Sequence, residues 1–256
     1  MMKIATFNAN SLRARLQIVL DWLAKESPDI LSVQETKVQD KDFPLKDLEG
    51  CGYNIVYRGQ KSYNGVAIFS KEPIEVLRFG LPGEPADEAR MIAAKIGQIT
   101  VINTYIPQGF EIDSEKYQYK LAWFNRLGEY FKNNFKPSDK VIWLGDLNVA
   151  PEAIDLHSPK THKNNVCFNP ELTEHFYSIC KWGFTDLFRM HCTAGGHYTF
   201  WDYRAPNALK NNTGWRLDYI MATEALAKNC KACHIDITPR KLSRPSDHTF
   251  LIAEFD

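Results

Sequence analysis

The sequence predicts an α/β protein of two packed β-sheets with helices outside, and three observations carry that prediction. Short apolar runs bounded by turn residues recur along the whole chain of 256 residues. Helical stripes of apolar residues interleave with them. No Gly/Ser/Pro-rich tract or low-complexity block divides the chain, so residues 1–256 are expected to form one domain. This many strands in one domain suits two stacked sheets better than a single open one.

The elements follow in order. Ile4 to Phe7 reads as a strand. Ser11 is expected to cap a helix whose stripe is Leu12, Leu16, Val19, Leu20 and Leu23, ending near Ser27-Pro28. Ile30 to Val33 is the next strand. Tyr53–Tyr57, Val66–Ser70, Glu75–Phe79, Met91–Ile96 and Thr100–Ile106 follow as strands, several joined by short turns as in an antiparallel meander. Ser114 to Phe131 is a long helix carrying Tyr117, Leu121, Phe124 and Leu127 on one face. Val141–Leu144 is a strand and Leu172–Trp182 a helix. Tyr198–Trp201, Leu217–Ala222, His234–Ile237 and Phe250–Phe255 complete the strands.

Composition excludes several classes. Lys+Arg 31 balances Asp+Glu 31, so no global basic field marks a polyanion binder and any such site must be a local patch. No run approaches the about 20 apolar residues of a membrane span. The first residues lack a signal-peptide core, which gives a cytoplasmic location and reduced thiols for the 6 Cys as expectations. Cys230-Lys-Ala-Cys233-His234 has the form of a haem attachment site. Without an export signal, and with apolar and polar residues alternating from Cys230 to Ile237, it reads as a half-buried strand.

Polar residues recur where strands end. Val141-Ile142-Trp143-Leu144 runs into Gly145-Asp146-Leu147-Asn148, which sets a carboxylate and an amide two apart and on one side of an extended chain. Asn8 and Asn10 follow the first strand, and Gln34-Glu35-Thr36-Lys37 the second. Tyr105 to Gly109 closes another, Asp218 sits in Trp215-Arg216-Leu217-Asp218-Tyr219, and Ser246-Asp247-His248 precedes the last. Hard oxygen donors with few imidazoles favour Mg²⁺ or Mn²⁺ over zinc. There is no nucleophile elbow and no GxxxxGK[ST] loop. Carboxylates, a metal and one His suit attack by water on a phosphoester. Taken singly, each residue has a plain alternative, such as Asp218 neutralising Arg216 or Tyr105 packing in a core.

In this order and spacing the motifs resemble the exonuclease III family of AP (apurinic/apyrimidinic) endonucleases, within the endonuclease/exonuclease/phosphatase superfamily. They run from Phe7-Asn8-x-Asn10 through Gln34-Glu35-Thr36-Lys37, Tyr105-Ile106-Pro107-Gln108-Gly109 and Gly145-Asp146-Leu147-Asn148 to Arg216-Leu217-Asp218-Tyr219 and Ser246-Asp247-His248. The resemblance implies a four-layered α/β sandwich and Mg²⁺-dependent hydrolysis of DNA, with Mn²⁺ as a substitute. It implies incision 5′ to abasic sites in duplex DNA, 3′→5′ exonuclease and 3′-end cleaning by a monomer. Glu35 is then the principal metal ligand, helped by Asn8, Asn10 or Asp247, with Asp146 and Asn148 as an alternative metal position. Asn148 and Tyr105 would hold the phosphate, and Asp218 would fix His248. Asp146, Tyr105 and His248 stay open as the base, with Asp146 favoured because a carboxylate near Mg²⁺ can take a water proton. Phe200, Trp215 and Leu217 would form the abasic-site pocket, and Cys167 stands where relatives carry a small residue beside it. Lys37, Arg58, Lys61, Arg90, Gln108 and Lys120 are the expected DNA contacts. The alternative within the superfamily is a phosphodiesterase acting on a lipid or inositol phosphate. A DNA-binding module with a degraded site is the non-enzymatic one.

Overall fold

The computed structural model describes residues 1–83 and 88–256. Strands β1 (Met2–Asn8), β2 (Ile30–Gln34), β3 (Asn54–Arg58), β4 (Val66–Ser70), β11 (Cys230–Asp236) and β12 (Phe250–Phe255) form one sheet, in the order β11-β12-β1-β2-β4-β3. Strands β5 (Ile74–Phe79), β6 (Met91–Ile96), β7 (Ile99–Tyr105), β8 (Val141–Asp146), β9 (Phe184–Asp186) and β10 (Asp218–Thr223) form the other, in the order β5-β6-β7-β8-β10-β9. The meander holds for β5 to β7 only. The chain changes sheets between β4 and β5, because β4 pairs back with β2 and β3.

The four layers expected from the sequence are present. Ile4, Ile68, Val101, Ile142 and Ile220 belong to the core between the sheets. Helix α1 (Leu16–Glu26) covers the outer face of the first sheet through Val19, Trp22 and Leu23. Helices α3 (Glu115–Asn134) and α4 (Pro170–Gly183) cover the second through Leu121, Phe124, Leu172 and Phe176. Short helices α2 (Leu45–Leu48), α5 (Leu187–His191) and α6 (Glu224–Ala227), with strand β9, carried too little periodicity to be predicted. The long helices are capped as their sequences suggest: Ser114 Oγ accepts from the Tyr117 amide at 3.2 Å, and Asn169 Oδ1 from Leu172 at 3.0 Å. No helix among the described residues is long and apolar enough to cross a membrane.

Three local expectations are corrected. Ser11 is not a helix cap. It has φ +89°, and its amide donates to the Glu35 carbonyl at 2.8 Å, tying the loop after β1 to the loop after β2. A 3₁₀ turn over Arg13–Arg15 precedes α1 instead. Tyr198–Trp201 is not a regular strand, because Phe200 bridges Trp215 on one side and His248 on the other and neither ladder extends. The strand expected over His234–Ile237 spans Cys230–Asp236, and with a bulge after Cys230 both Cys230 and Cys233 are buried in the inter-sheet core.

The topology explains where a site belongs. Each sheet contains one parallel pair at its centre, β1 with β2 and β7 with β8. Parallel pairing sends both carboxyl ends the same way, and crevices at such ends collect ligands. The two pairs end at Asn8 opposite Gln34 and at Tyr105 opposite Asp146. Gly145 makes the second pair possible: it sits at φ +132°, and a Cβ there would lie 1.9 Å from the Thr104 carbonyl oxygen. Below these ends the sheets are cross-linked by polar groups, with Gln34 Nε2 donating to Thr6 Oγ1 at 2.9 Å and to Asn103 Oδ1 at 2.7 Å.

Candidate active site

A cleft of about 650 Å³ opens over these strand ends. Glu35, Asp146 and His248 form its floor, each offering a ligand atom, all within 4.8 Å of one another. Asn8 is fully buried between the carboxylates, donating from Nδ2 to Glu35 Oε1 and Asp146 Oδ2, both at 2.8 Å. Its own oxygen accepts from the Asn10 amide at 2.9 Å. Asn10 Nδ2 donates to Asp247 Oδ1 at 2.9 Å, so Asn10 and Asp247 form a second tier beside the floor. Asn148 is held three ways: its amide donates to Asp146 Oδ1 at 3.0 Å, its Nδ2 to the Ile106 carbonyl at 2.9 Å, and its own carbonyl accepts from Lys120 at 2.7 Å.

The electrostatics are unbalanced. Burial pushes Asp146 up to about 7, with Asp218 and Glu35 adding to the rise against the pull of His248. Burial alone would lower His248, but the Asp218 and Asp146 carboxylates outweigh it and raise the imidazole to about 10. His248 Nδ1 lies 2.7 Å from Asp218 Oδ2, and Nε2 lies 3.7 Å from Asp146 Oδ2. His248 is therefore an imidazolium donating Nδ1–H to Asp218. Burial also works against charge on Glu35, yet Lys37, at 2.8 Å, and Asn8 hold its carboxyl below the ordinary range. Tyr105 is driven well above its ordinary value by burial and by Glu35 and Asp146, so its hydroxyl keeps its proton. The other oxygen of Asp218, Oδ1, is buried with no partner among the described residues. Two buried carboxylates and the half-buried Glu35, against one imidazolium and one lysine, leave excess negative charge around oxygen donors. That donor set fits a hard divalent cation held by Glu35 with Asp146 beside it.

One wall of the cleft is apolar. Phe200, Trp215 and Leu217 line it, with the Phe200 ring centroid 4.9 Å from that of His248. Gln108, Phe110, Asn165, Val166 and Cys167 line the cleft as well. Of the expected DNA contacts only Gln108 lines the cleft. Lys37 stands beside the floor, bound to Glu35 and, at 2.5 Å, to Asn10 Oδ1. Arg90 packs over the Tyr105 ring at 4.8 Å and pairs with Glu88. Arg58 is half-buried in β3 and Lys61 is exposed, and neither lines the cleft. Lys120 is corrected outright: it is 0 % exposed and lies beneath the cleft, not on its rim. Arg216 does not pair with Asp218, either. It binds Asp155 and Asp186, each at 2.7 Å. Sequence reasoning missed Arg204, Asn164 and Asn165 on the cleft, whose polarity alone is no signal in a loop.

Residues 5–248 match the endonuclease/exonuclease/phosphatase family. Exodeoxyribonuclease III of Haemophilus influenzae is 33% identical, over 99% of this chain and 100% of that protein. An AP endonuclease from Archaeoglobus fulgidus superposes with a TM-score of 0.97 at 51% identity, covering 100% of both chains. A 3′ phosphatase from Neisseria, solved with a product DNA hairpin, does so at 0.95 and 37% identity, again over 100% of both chains. None of these relatives supports the lipid or inositol phosphate alternative. With the floor, the strand-end topology and these matches in agreement, the chain belongs to the endonuclease/exonuclease/phosphatase family.

Proposed function

We propose that this chain is a Mg²⁺-dependent DNA-repair nuclease that cleaves the phosphodiester 5′ to an abasic site, with 3′→5′ exonuclease and 3′-end-cleaning activity, and that Mn²⁺ can replace Mg²⁺. The observation that carries the reading is the pairing of a carboxylate-rich floor with an apolar wall in one cleft. An abasic nucleotide is easily extruded from a duplex, and a compact apolar wall accepts a bare sugar. The whole chain is read as one catalytic domain, monomeric and cytoplasmic.

The roles follow from protonation and position. Asp146, raised to about 7, is the group on the floor matched to taking a proton from water near neutral pH. Tyr105 holds its proton too tightly to be the base and donates to a phosphate oxygen instead. The imidazolium of His248, fixed by Asp218, presents Nε2–H to another. Asn148, its N–H tied to Asp146 and its carbonyl to Lys120, offers the phosphate the side-chain N–H that is not given to the Ile106 carbonyl and that lies 3.4 Å from Asp146 Oδ2. Asn8 spaces Glu35 from Asp146. A divalent cation held by Glu35 would supply the positive charge that draws the phosphate in and neutralises the leaving oxygen.

A labelled duplex carrying one abasic-site analogue, incubated with Mg²⁺ or with EDTA, tests the proposal. Incision on the 5′ side with Mg²⁺ alone is expected. An intact duplex after incubation with Mg²⁺ would sink it.

A further inference from the structure

Lys120 lies in α3, fully buried, and no carboxylate among the described residues pairs with it. An ammonium in that position is strongly unfavourable unless every proton is bound. Each of its three protons has a carbonyl: Val166 at 2.6 Å, Asn148 at 2.7 Å and Gln108 at 3.1 Å. Those carbonyls belong to two connections that line the cleft: Gln108 follows β7, while Asn148 and Val166 stand near opposite ends of the long segment from β8 to α4. The backbone is shaped around the side chain, since a Cβ on Gly109, at φ +99°, would lie 3.1 Å from Lys120 Cδ. The helix carrying Lys120 is itself anchored on the outer core through Leu121 and Phe124.

We infer that Lys120 is a positioning residue that fixes Asn148 and the cleft loops in reactive register, an inference that rests on the nuclease reading above. Asn148 occupies the left-handed region at φ +48°, which asparagine tolerates better than most residues, and its neighbours hold it there. Its amide is tied to Asp146 and its carbonyl to Lys120, so the ammonium closes one of the two backbone clamps that flank the Asn148 side chain. A rigid helix thus holds the phosphate-facing amide from below, through a charge that never touches the substrate. An apolar side chain would fill the same space without gathering the loops.

The test uses the full chain, the abasic-analogue duplex and Mg²⁺, with wild type, Lys120→Met, Lys120→Gln, Asn148→Ala and the Lys120→Met/Asn148→Ala double variant. Incision by wild type establishes the reaction, and its absence would count against the nuclease reading, not against Lys120. Lys120→Met is expected to lower kcat by about 10- to 100-fold with KM changed less than about threefold. In the Asn148→Ala background the same change should cost less than about threefold, because Lys120 acts through the Asn148 side chain that is no longer there. Unchanged kcat, or a loss that multiplies fully in the double variant, overturns the inference. If Lys120→Met does not fold, Lys120→Gln, which keeps two N–H donors, replaces it in the same cycle. Failure of both to fold makes Lys120 a stability residue and overturns the inference equally.

Discussion

Two buried charge clusters lie at opposite ends of the run Trp215–Asp218, and they are built to opposite rules. At one end Arg216 bridges Asp155 and Asp186, and Arg189 adds a second guanidinium to Asp155 at 2.5 Å. The remaining Asp155 oxygen accepts from the Glu152 amide at 3.1 Å, and the remaining Asp186 oxygen from Phe188 at 3.0 Å. Two cations meet two carboxylates, and every oxygen has a donor. At the other end Asp218, Asp146 and Glu35 face one imidazolium and one lysine, and Asp218 Oδ1 has none. A cluster whose charges balance is scaffold, even though Arg189 Nε has no partner among the described residues. A cluster short of positive charge is a place for an ion and a reaction.

Substitutions should separate the two. The largest effect belongs to Asp146→Asn, expected to lower Mg²⁺-dependent incision by about 10³-fold or more while leaving DNA affinity largely intact. Its metal-free melting temperature should stay level or rise, since a buried charge is removed. Near-normal turnover would take Asp146 out of the central role. Arg216→Met is the opposite experiment: it takes the guanidinium from Asp186 and one of the two from Asp155, and should destabilise the fold by about 3–5 kcal/mol in denaturant titration. A loss under about 1 kcal/mol would show that the balanced cluster is not holding the strand.

The unbalanced cluster also predicts a pH dependence. Folding raises Asp146 from 3.8 to about 7, so its ionisation weakens the metal-free fold as pH climbs through that interval. Folding raises His248 from 6.5 to about 10, so the stability it contributes is complete below pH 6.5 and lost by about 10. Both act in one direction. Metal-free melting temperature should fall steadily between pH 5 and 10, and saturating Mg²⁺ should flatten the fall at its neutral end. A flat metal-free profile would refute the imbalance. The smallest effect is expected from Trp215→Ala, at the joint between the clusters: a several-fold rise in KM for abasic duplex, with little change in kcat and in melting temperature.

The sequence made the floor legible and left its supports dark. Gly145-Asp146-Leu147-Asn148 could be read because a buried strand ending in a carboxylate and an amide is a local pattern. The parallel pairing that brings Asp146 beside Tyr105, and the inter-sheet packing that brings it to Asn8, are long-range facts. Ser11 looked like a cap because its neighbours look helical, while its amide is claimed by Glu35, 24 positions away. Lys120 was misread for a related reason. A lysine three residues after Tyr117 on an amphipathic helix ordinarily reaches solvent, and only the tertiary fold delivers three carbonyls to receive it. Arg216 likewise has its nearest carboxylate in sequence at Asp218 but finds partners in Asp155 and Asp186.

The left-handed backbone at the site has a further consequence. Asn10, Ser11, Glu35, Lys37 and Asn148 all have positive φ, though none is glycine. Each carries a cost of roughly 1 kcal/mol relative to ordinary backbone. A chain with glycine at these positions would fold under less strain and would have nothing with which to grip a metal or a phosphate. Selection for stability alone would therefore erode this site first, and a thermostabilised descendant of the protein is best checked for activity at these loops before anywhere else.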